Sequence, residues 1–168
     1  GWKPSRDGKL LAYGLSEVGN NAVSLYTMEV DTGRQLLDVV PADIYASFFN
    51  EWDTDGKGFW YIRSPIENPK GEDHYYKKVY FHRLGSDWKN DQFVCCENTA
   101  KDDRPEVVLS ANGRWLLATV YKSTGDKRLQ DLYVQDRMSD IQTFVPIMKG
   151  MRAQFMATLH RDTLYVLT

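Results

Sequence analysis

Apolar and polar positions in this chain fall into short runs rather than long helical stripes. Segments 10–15, 22–30, 59–63, 78–84, 92–96, 115–121, 131–135 and 163–167 are rich in β-branched and aromatic residues and are bounded by Gly, Asp, Asn or Ser, which predicts strands. Lys78-Val-Tyr-Phe-His-Arg-Leu84 alternates polar with apolar over part of its length, as a half-buried strand does. No segment carries a sustained helical periodicity. The pattern predicts an all-β chain.

The strands recur as a unit. A tight polar turn leading into an apolar strand appears as Ser5-Arg-Asp7-Gly8-Lys-Leu-Leu-Ala-Tyr13, Asp53-Thr-Asp55-Gly56-Lys-Gly-Phe-Trp-Tyr61 and Ser110-Ala-Asn112-Gly113-Arg-Trp-Leu-Leu-Ala118. A degenerate fourth copy reads His160-Arg-Asp162-Thr-Leu-Tyr-Val-Leu-Thr168. The turns sit about 48, 57 and 50 residues apart, a spacing of propeller blades or similar arrays. Asp-Gly and Asn-Gly are strong hairpin turns because Gly accepts positive φ without steric cost.

Laid over one another, the copies supply a second strand (23–30, 79–84, 132–134), an outer strand (35–39, 92–96, 142–147) and, ahead of each turn, an innermost one (44–52, 106–109, 152–159). Four antiparallel strands per unit make a propeller blade. Residues 1–40 are expected to form a blade lacking its inner strand, 41–100 and 101–150 two whole blades, and 151–168 the first half of another. The sum is about three and a half blades. The insertion 64–76, with Pro65, Pro69 and Gly71, is expected to be an exposed loop. Such an arc cannot close, and its ends would present unpaired strand edges, which soluble proteins cover. The remaining blades are therefore expected in a longer parent protein or in the surroundings of this molecule.

Composition narrows the field. Hydrophobic residues make up 42% and aromatics 13% of the 168 positions, ample for a packed core. A net charge of −2, evenly spread, points away from nucleic acid and anionic membranes as partners. No apolar run approaches the roughly 20 residues that span a bilayer. The two cysteines, Cys95 and Cys96, are adjacent. On a strand they would face opposite ways, and a bridge between them would be strained. Two reduced structural thiols are expected, hence a cytoplasmic protein, or a periplasmic one if the parent carries a signal peptide.

Candidate chemistry is sparse. Gly14-Leu-Ser16-Glu-Val18-Gly19 approaches the Gly-x-Ser-x-Gly nucleophile elbow, but its second Gly comes one place late and no helix is predicted after it. His74, His82 and His160 lack metal-ligand spacing, and His82 reads as a packed strand residue. The pairs Asp53/Asp55, Glu72/Asp73 and Asp102/Asp103 fall in turns, where Asp bonds its own backbone. Aromatics at Trp52, Phe59, Trp60, Tyr61, Tyr80, Phe81, Trp115 and Tyr133 suit blade-to-blade packing. The chain is expected to carry no catalytic, cofactor-binding or metal-ligating residue, and no cofactor is implied.

The turn motifs also carry a resemblance. Ser5-Arg-Asp-Gly-Lys-Leu-Leu-Ala-Tyr-Gly-Leu-Ser-Glu17 resembles the SPDGKYLAYGLSESG segment of the prolyl oligopeptidase (prolyl endopeptidase) family. Asp31-Thr-Gly33 with Leu37-Asp-Val39, Trp52 through Arg63, Lys78 through Gly85 and Leu109 through Leu117 are similar to further segments of that family, in the same order. The resemblance implies part of a seven-bladed propeller that caps an α/β-hydrolase domain in serine peptidases cleaving short peptides after proline. Its implied partners are that C-terminal hydrolase domain, the remaining blades and short peptide substrates. The triad belongs to the hydrolase domain, so no catalytic residue carries over. Positions that line the substrate site in relatives of the vertebrate enzyme fall near Arg104, Tyr121 and Thr124, and none of these matches the family residue. A propeller scaffold for protein binding is the alternative, although the Gly-His…Trp-Asp signature of WD repeats is missing. A further alternative is a sister peptidase, of oligopeptidase B or dipeptidyl peptidase type.

Overall fold

A computed structural model describes residues 1–16, 22–43, 51–123, 129–160 and 162–167. Among these described residues fourteen strands run in order: β1 (Trp2–Pro4), β2 (Leu10–Ser16), β3 (Ala22–Glu29), β4 (Gln35–Asp43), β5 (Glu51–Trp52), β6 (Gly58–Arg63), β7 (Lys78–Arg83), β8 (Gln92–Cys95), β9 (Arg104–Leu109), β10 (Trp115–Tyr121), β11 (Leu129–Asp136), β12 (Val145–Arg152), β13 (Met156–His160) and β14 (Thr163–Leu167). They form three antiparallel four-stranded sheets, β1–β4, β5–β8 and β9–β12, followed by the hairpin β13–β14. A short 3-10 turn, Trp88–Asn90, precedes β8.

The recurring turn is one physical device. Gly8 and Gly113 N–H donate to the carbonyls of Ser5 and Ser110, while the two serine hydroxyls accept from Leu10 and Trp115 N–H at 2.9 Å. Each hydroxyl in turn donates to Asp7 or Asn112. Gly8, Gly56 and Gly113 have φ of 73°, 68° and 75°, the left-handed region where a Cβ is penalised.

Sheets pack face to face, so the middle strands are covered on both sides. Every residue of β6 is buried. Its Phe59 and Tyr61 join Trp52 and Tyr80 against Ala12, Val23, Leu25 and Val40 of the first sheet. Its Trp60 and Ile62 join Val79 and Cys95 against Val107, Leu109, Leu116 and Ala118 of the third. A strand buried on both faces reads as a continuous apolar run rather than an alternation, which is why Gly58-Phe-Trp-Tyr-Ile62 shows so little polarity. A third, smaller cluster joins Leu117 and Leu132 to Phe155 ahead of β13.

Three expectations change. The first blade does not lack its inner strand: Trp2–Pro4 pairs with Tyr13, Ala12 and Leu11 of β2. Three residues with a proline and a largely exposed tryptophan give no strand signature in sequence. The last strand of the third sheet is Val145–Arg152 rather than 142–147, and β4 continues to Asp43; the divisions expected at 40/41 and 150/151 therefore fall inside strands. Register irregularities in both outer strands, between Tyr26 and Met28 and between Gln130 and Tyr133, blur the alternation that would have marked their limits. Of the inner strand expected over 44–52, only Glu51–Trp52 lies among the described residues. Third, Cys95 and Cys96 do not face opposite ways. β8 ends at Cys95, Cys96 turns to φ 72°, and the two thiols meet.

Candidate functional site

The first strand of each sheet defines the inside of the arc. Lys3 of β1 binds Glu51 of β5 at 2.7 Å, and the Trp52 indole donates to the Lys3 carbonyl. Arg6, in the turn after β1, reaches past the second sheet to donate to Leu109 O and Ala111 O of the third, both at 2.8 Å. These contacts bring β1, β5 and the end of β9 together, the arrangement expected of the innermost strands of adjacent blades, here the inner rim.

On that rim β9 and β10 hold one polar trio. Arg104 pairs with Tyr121 across the ladder, and Glu106 with Thr119. The Tyr121 hydroxyl donates to Glu106 Oε2 at 3.0 Å, and the Arg104 guanidinium lies 5.2 Å from the Tyr121 ring centre. Burial pushes the Glu106 carboxyl above its usual range, with the Tyr121 hydrogen bond and the Arg104 charge acting in the opposite direction. Burial, with the Glu106 charge added, pushes the Tyr121 phenol up to about 12. The trio offers a cation, a carboxyl and an aromatic face. Arg104 and Tyr121, two of the positions at which the chain departs from the family residues, thus face each other across the β9–β10 ladder; Thr124 lies outside the described residues.

A second polar cluster lies between the first and second sheets. His82 of β7 is 1% exposed. Its Nδ1 sits 3.0 Å from Asp91 Oδ1, and its Nε2 sits 3.2 Å from Asp38 Oδ1 of β4. Asp38 also accepts Gly85 N–H at 2.6 Å, and Asp91 accepts the Tyr61 hydroxyl at 2.9 Å. Burial works against the imidazolium, but hydrogen bonds and charge from Asp91 and then Asp38 outweigh it and raise the His82 pKa. With both ring nitrogens held by carboxylates, His82 cannot accept a proton from a substrate hydroxyl. It is a clamp between blades, in keeping with its reading as a packed residue.

The other residues weighed in sequence do not assemble. Ser16 ends β2, and residues 17–19 of the near-elbow lie outside the described residues. His74 accepts from Lys77 Nζ through its carbonyl, and His160 closes the β13–β14 hairpin opposite Thr163. Asp53 is bound by Arg137 of the third sheet at 2.8 Å, whose guanidinium also stacks over Trp60. Glu72 pairs with Lys101, and Asp103, fully buried, holds Lys122 at 3.0 Å and caps Ala100 and Ser123 N–H. Among the described residues no His, Cys, Asp and Glu side chains gather into a metal-binding group. A cleft of about 560 Å³ opens between the second and third sheets beside Cys95, Cys96, Lys122, Asp131 and Tyr133. Sequence reasoning missed the Asp38–His82–Asp91 clamp, whose members are 44 and 9 residues apart and share no motif.

Known proteins agree with this architecture. The family described as prolyl oligopeptidase, N-terminal beta-propeller domain, matches residues 1–168. Prolyl endopeptidase of Elizabethkingia meningoseptica is 27% identical over 173 residues, covering 98% of this chain and 23% of that protein. Prolyl oligopeptidase ophP of Omphalotus olearius is 28% identical over 154 residues, covering 81% of this chain and 20% of that protein. Among solved structures, prolyl oligopeptidase B from Galerina marginata bound to a 25mer macrocyclization substrate superposes with a TM-score of 0.81 at 21% identity, over 98% of this chain and 25% of that one. The apo form of the same protein gives 0.77. At that identity the superposition shows the fold alone. The chain spans about a quarter of the length of these relatives. A family match over every residue, on sheets that stack as blades around an inner rim, leaves one assignment: the chain belongs to the prolyl oligopeptidase N-terminal β-propeller domain family.

Proposed function

We propose that this chain is part of the gating propeller of a serine peptidase that cleaves short proline-containing peptides, with the catalytic triad supplied by a C-terminal hydrolase domain. The family match over residues 1–168 carries the reading. The inner rim supports it. A gate works by excluding large substrates from a narrow channel, which asks for shape and polarity rather than a reactive side chain. Arg104, Glu106 and Tyr121 supply the polarity on β9 and β10, where a peptide entering along the axis would meet them. The remaining blades and the hydrolase domain are its partners within the same protein, and the cytoplasm is its compartment.

Two preparations test this. The native-length protein should cleave a proline-containing reporter peptide, lose that activity to a serine-directed inhibitor, and spare the same sequence placed within a folded protein. The 168-residue chain alone should be inert. Turnover by the isolated chain, or an inhibitor-insensitive native-length protein, would overturn the proposal.

A further inference from the structure

β8 ends in two cysteines whose geometry departs from that of a strand. Consecutive strand residues point to opposite faces, yet Cys96 adopts φ 72°, a left-handed conformation uncommon for a residue with a Cβ. The turn swings its side chain back beside Cys95, and the two Sγ atoms lie 2.6 Å apart. Both are free thiols. Cys95 is 6% exposed and Cys96 is more accessible. Both border the cleft of about 560 Å³ between the second and third sheets, a route for a small reagent from solvent.

We propose that Cys95 and Cys96 form a redox modification site, a vicinal dithiol that a two-electron oxidant of the hydroperoxide class closes into a disulfide. The accessible Cys96 reacts first, because burial and the neighbouring sulfur push the Cys95 thiol up and keep it protonated. The Cys96 thiolate attacks one peroxide oxygen; the O–O bond breaks and the departing hydroxide takes up a proton to leave as water. The Cys95 sulfur then attacks the resulting sulfenic acid. The S–O bond breaks, and hydroxide leaves with the Cys95 proton as a second water. Two thiols lose two electrons in total, and hydrogen peroxide becomes two waters, while an organic hydroperoxide would become one alcohol and one water.

Reversibility follows from geometry. Cα atoms joined by a trans peptide are about 3.8 Å apart, shorter than the roughly 4.4–6.8 Å that disulfides prefer. A bridge here is strained, and strained disulfides are the readily reduced, regulatory kind. With Cys96 already turned left-handed and the two sulfurs already side by side, the folded chain is organised for closure. Closure would lock the peptide where β8 leaves its sheet, on the wall of the cleft facing Lys122 and Asp131. None of this depends on the peptidase reading.

The test uses the native-length protein treated with hydrogen peroxide, then unfolded in iodoacetamide and digested with trypsin, which releases both cysteines on the peptide of residues 90–101. The expected product is an unlabelled peptide lighter by two hydrogens, which regains two labels after dithiothreitol. Preorganisation should make it form at least about tenfold faster in the folded protein than in urea. Cys95→Ser should leave a Cys96 sulfenic acid that dimedone traps. Two labelled cysteines after peroxide, conversion to sulfinic acid without a bridge, equal rates folded and unfolded, or no dimedone adduct in Cys95→Ser would each overturn the proposal.

Discussion

Replacing His82 by leucine isolates the clamp between the first two blades. The imidazole is 1% exposed, and the side chains of Asp38 and Asp91 are 7% and 1% exposed. Removing the ring leaves two carboxylates sharing a dry site, each keeping one other donor among the described residues, Gly85 N–H or the Tyr61 hydroxyl. Taking one partner from a buried ionic cluster costs about 3–5 kcal/mol. For a chain of this size each kcal/mol lowers Tm by about 2–4 °C, so the variant should melt roughly 6–20 °C lower. The loss should also depend on pH. Because the folded pKa of His82 is raised, its stabilisation is fully present below the ordinary histidine value of about 6.5 and declines as pH rises through the folded value. Urea unfolding of the native-length protein and the variant, followed by tryptophan fluorescence across a pH series, measures both effects. A cost under about 1 kcal/mol, or a gap between the two proteins that does not narrow at alkaline pH, would refute the clamp.

Other outcomes follow from single contacts. Gly58→Ala places a Cβ 2.5 Å from the His82 carbonyl and 2.5 Å from the Phe81 ring, and should cost about 1–3 kcal/mol or more through overpacking in urea unfolding. Leu116→Ala, at a fully buried position between the second and third sheets, should cost about 2–5 kcal/mol in the same assay. Tyr121→Phe removes the hydrogen bond that lowers the Glu106 pKa. The carboxyl, already raised by burial, should titrate higher still by carbon-detected NMR; an unchanged or lower value would contradict the contact.

Much of the architecture was legible in the sequence because the turn and its strand repeat as local signals. The Ser-x-Asx-Gly turns are built from hydrogen bonds within five residues, so the chemistry that makes them is written contiguously. β1 was not legible: Trp2–Pro4 is held by pairing with β2 rather than by any propensity of its own. The limits of β12 were misplaced for a related reason, since its bulged register breaks the alternation that marks where a strand begins and ends. The left-handed turn at Cys96 arises where β8 gives way to the loop before β9, a tertiary demand with no glycine to announce it. On the inner rim, Arg104 and Tyr121 were singled out through the family resemblance, whereas Glu106 entered only when the β9–β10 register set it within reach of the phenol.

Stacked repeats ordinarily behave as a line of neighbours, in which each unit senses only the next and fraying can proceed one unit at a time. Arg6 breaks that rule, because its guanidinium ties the first blade to carbonyls of the third. Peeling away the first sheet therefore also removes the two hydrogen bonds to Leu109 and Ala111 carbonyls, even if the second sheet stays intact. The third blade is thereby coupled directly to the first, through one side chain in a turn.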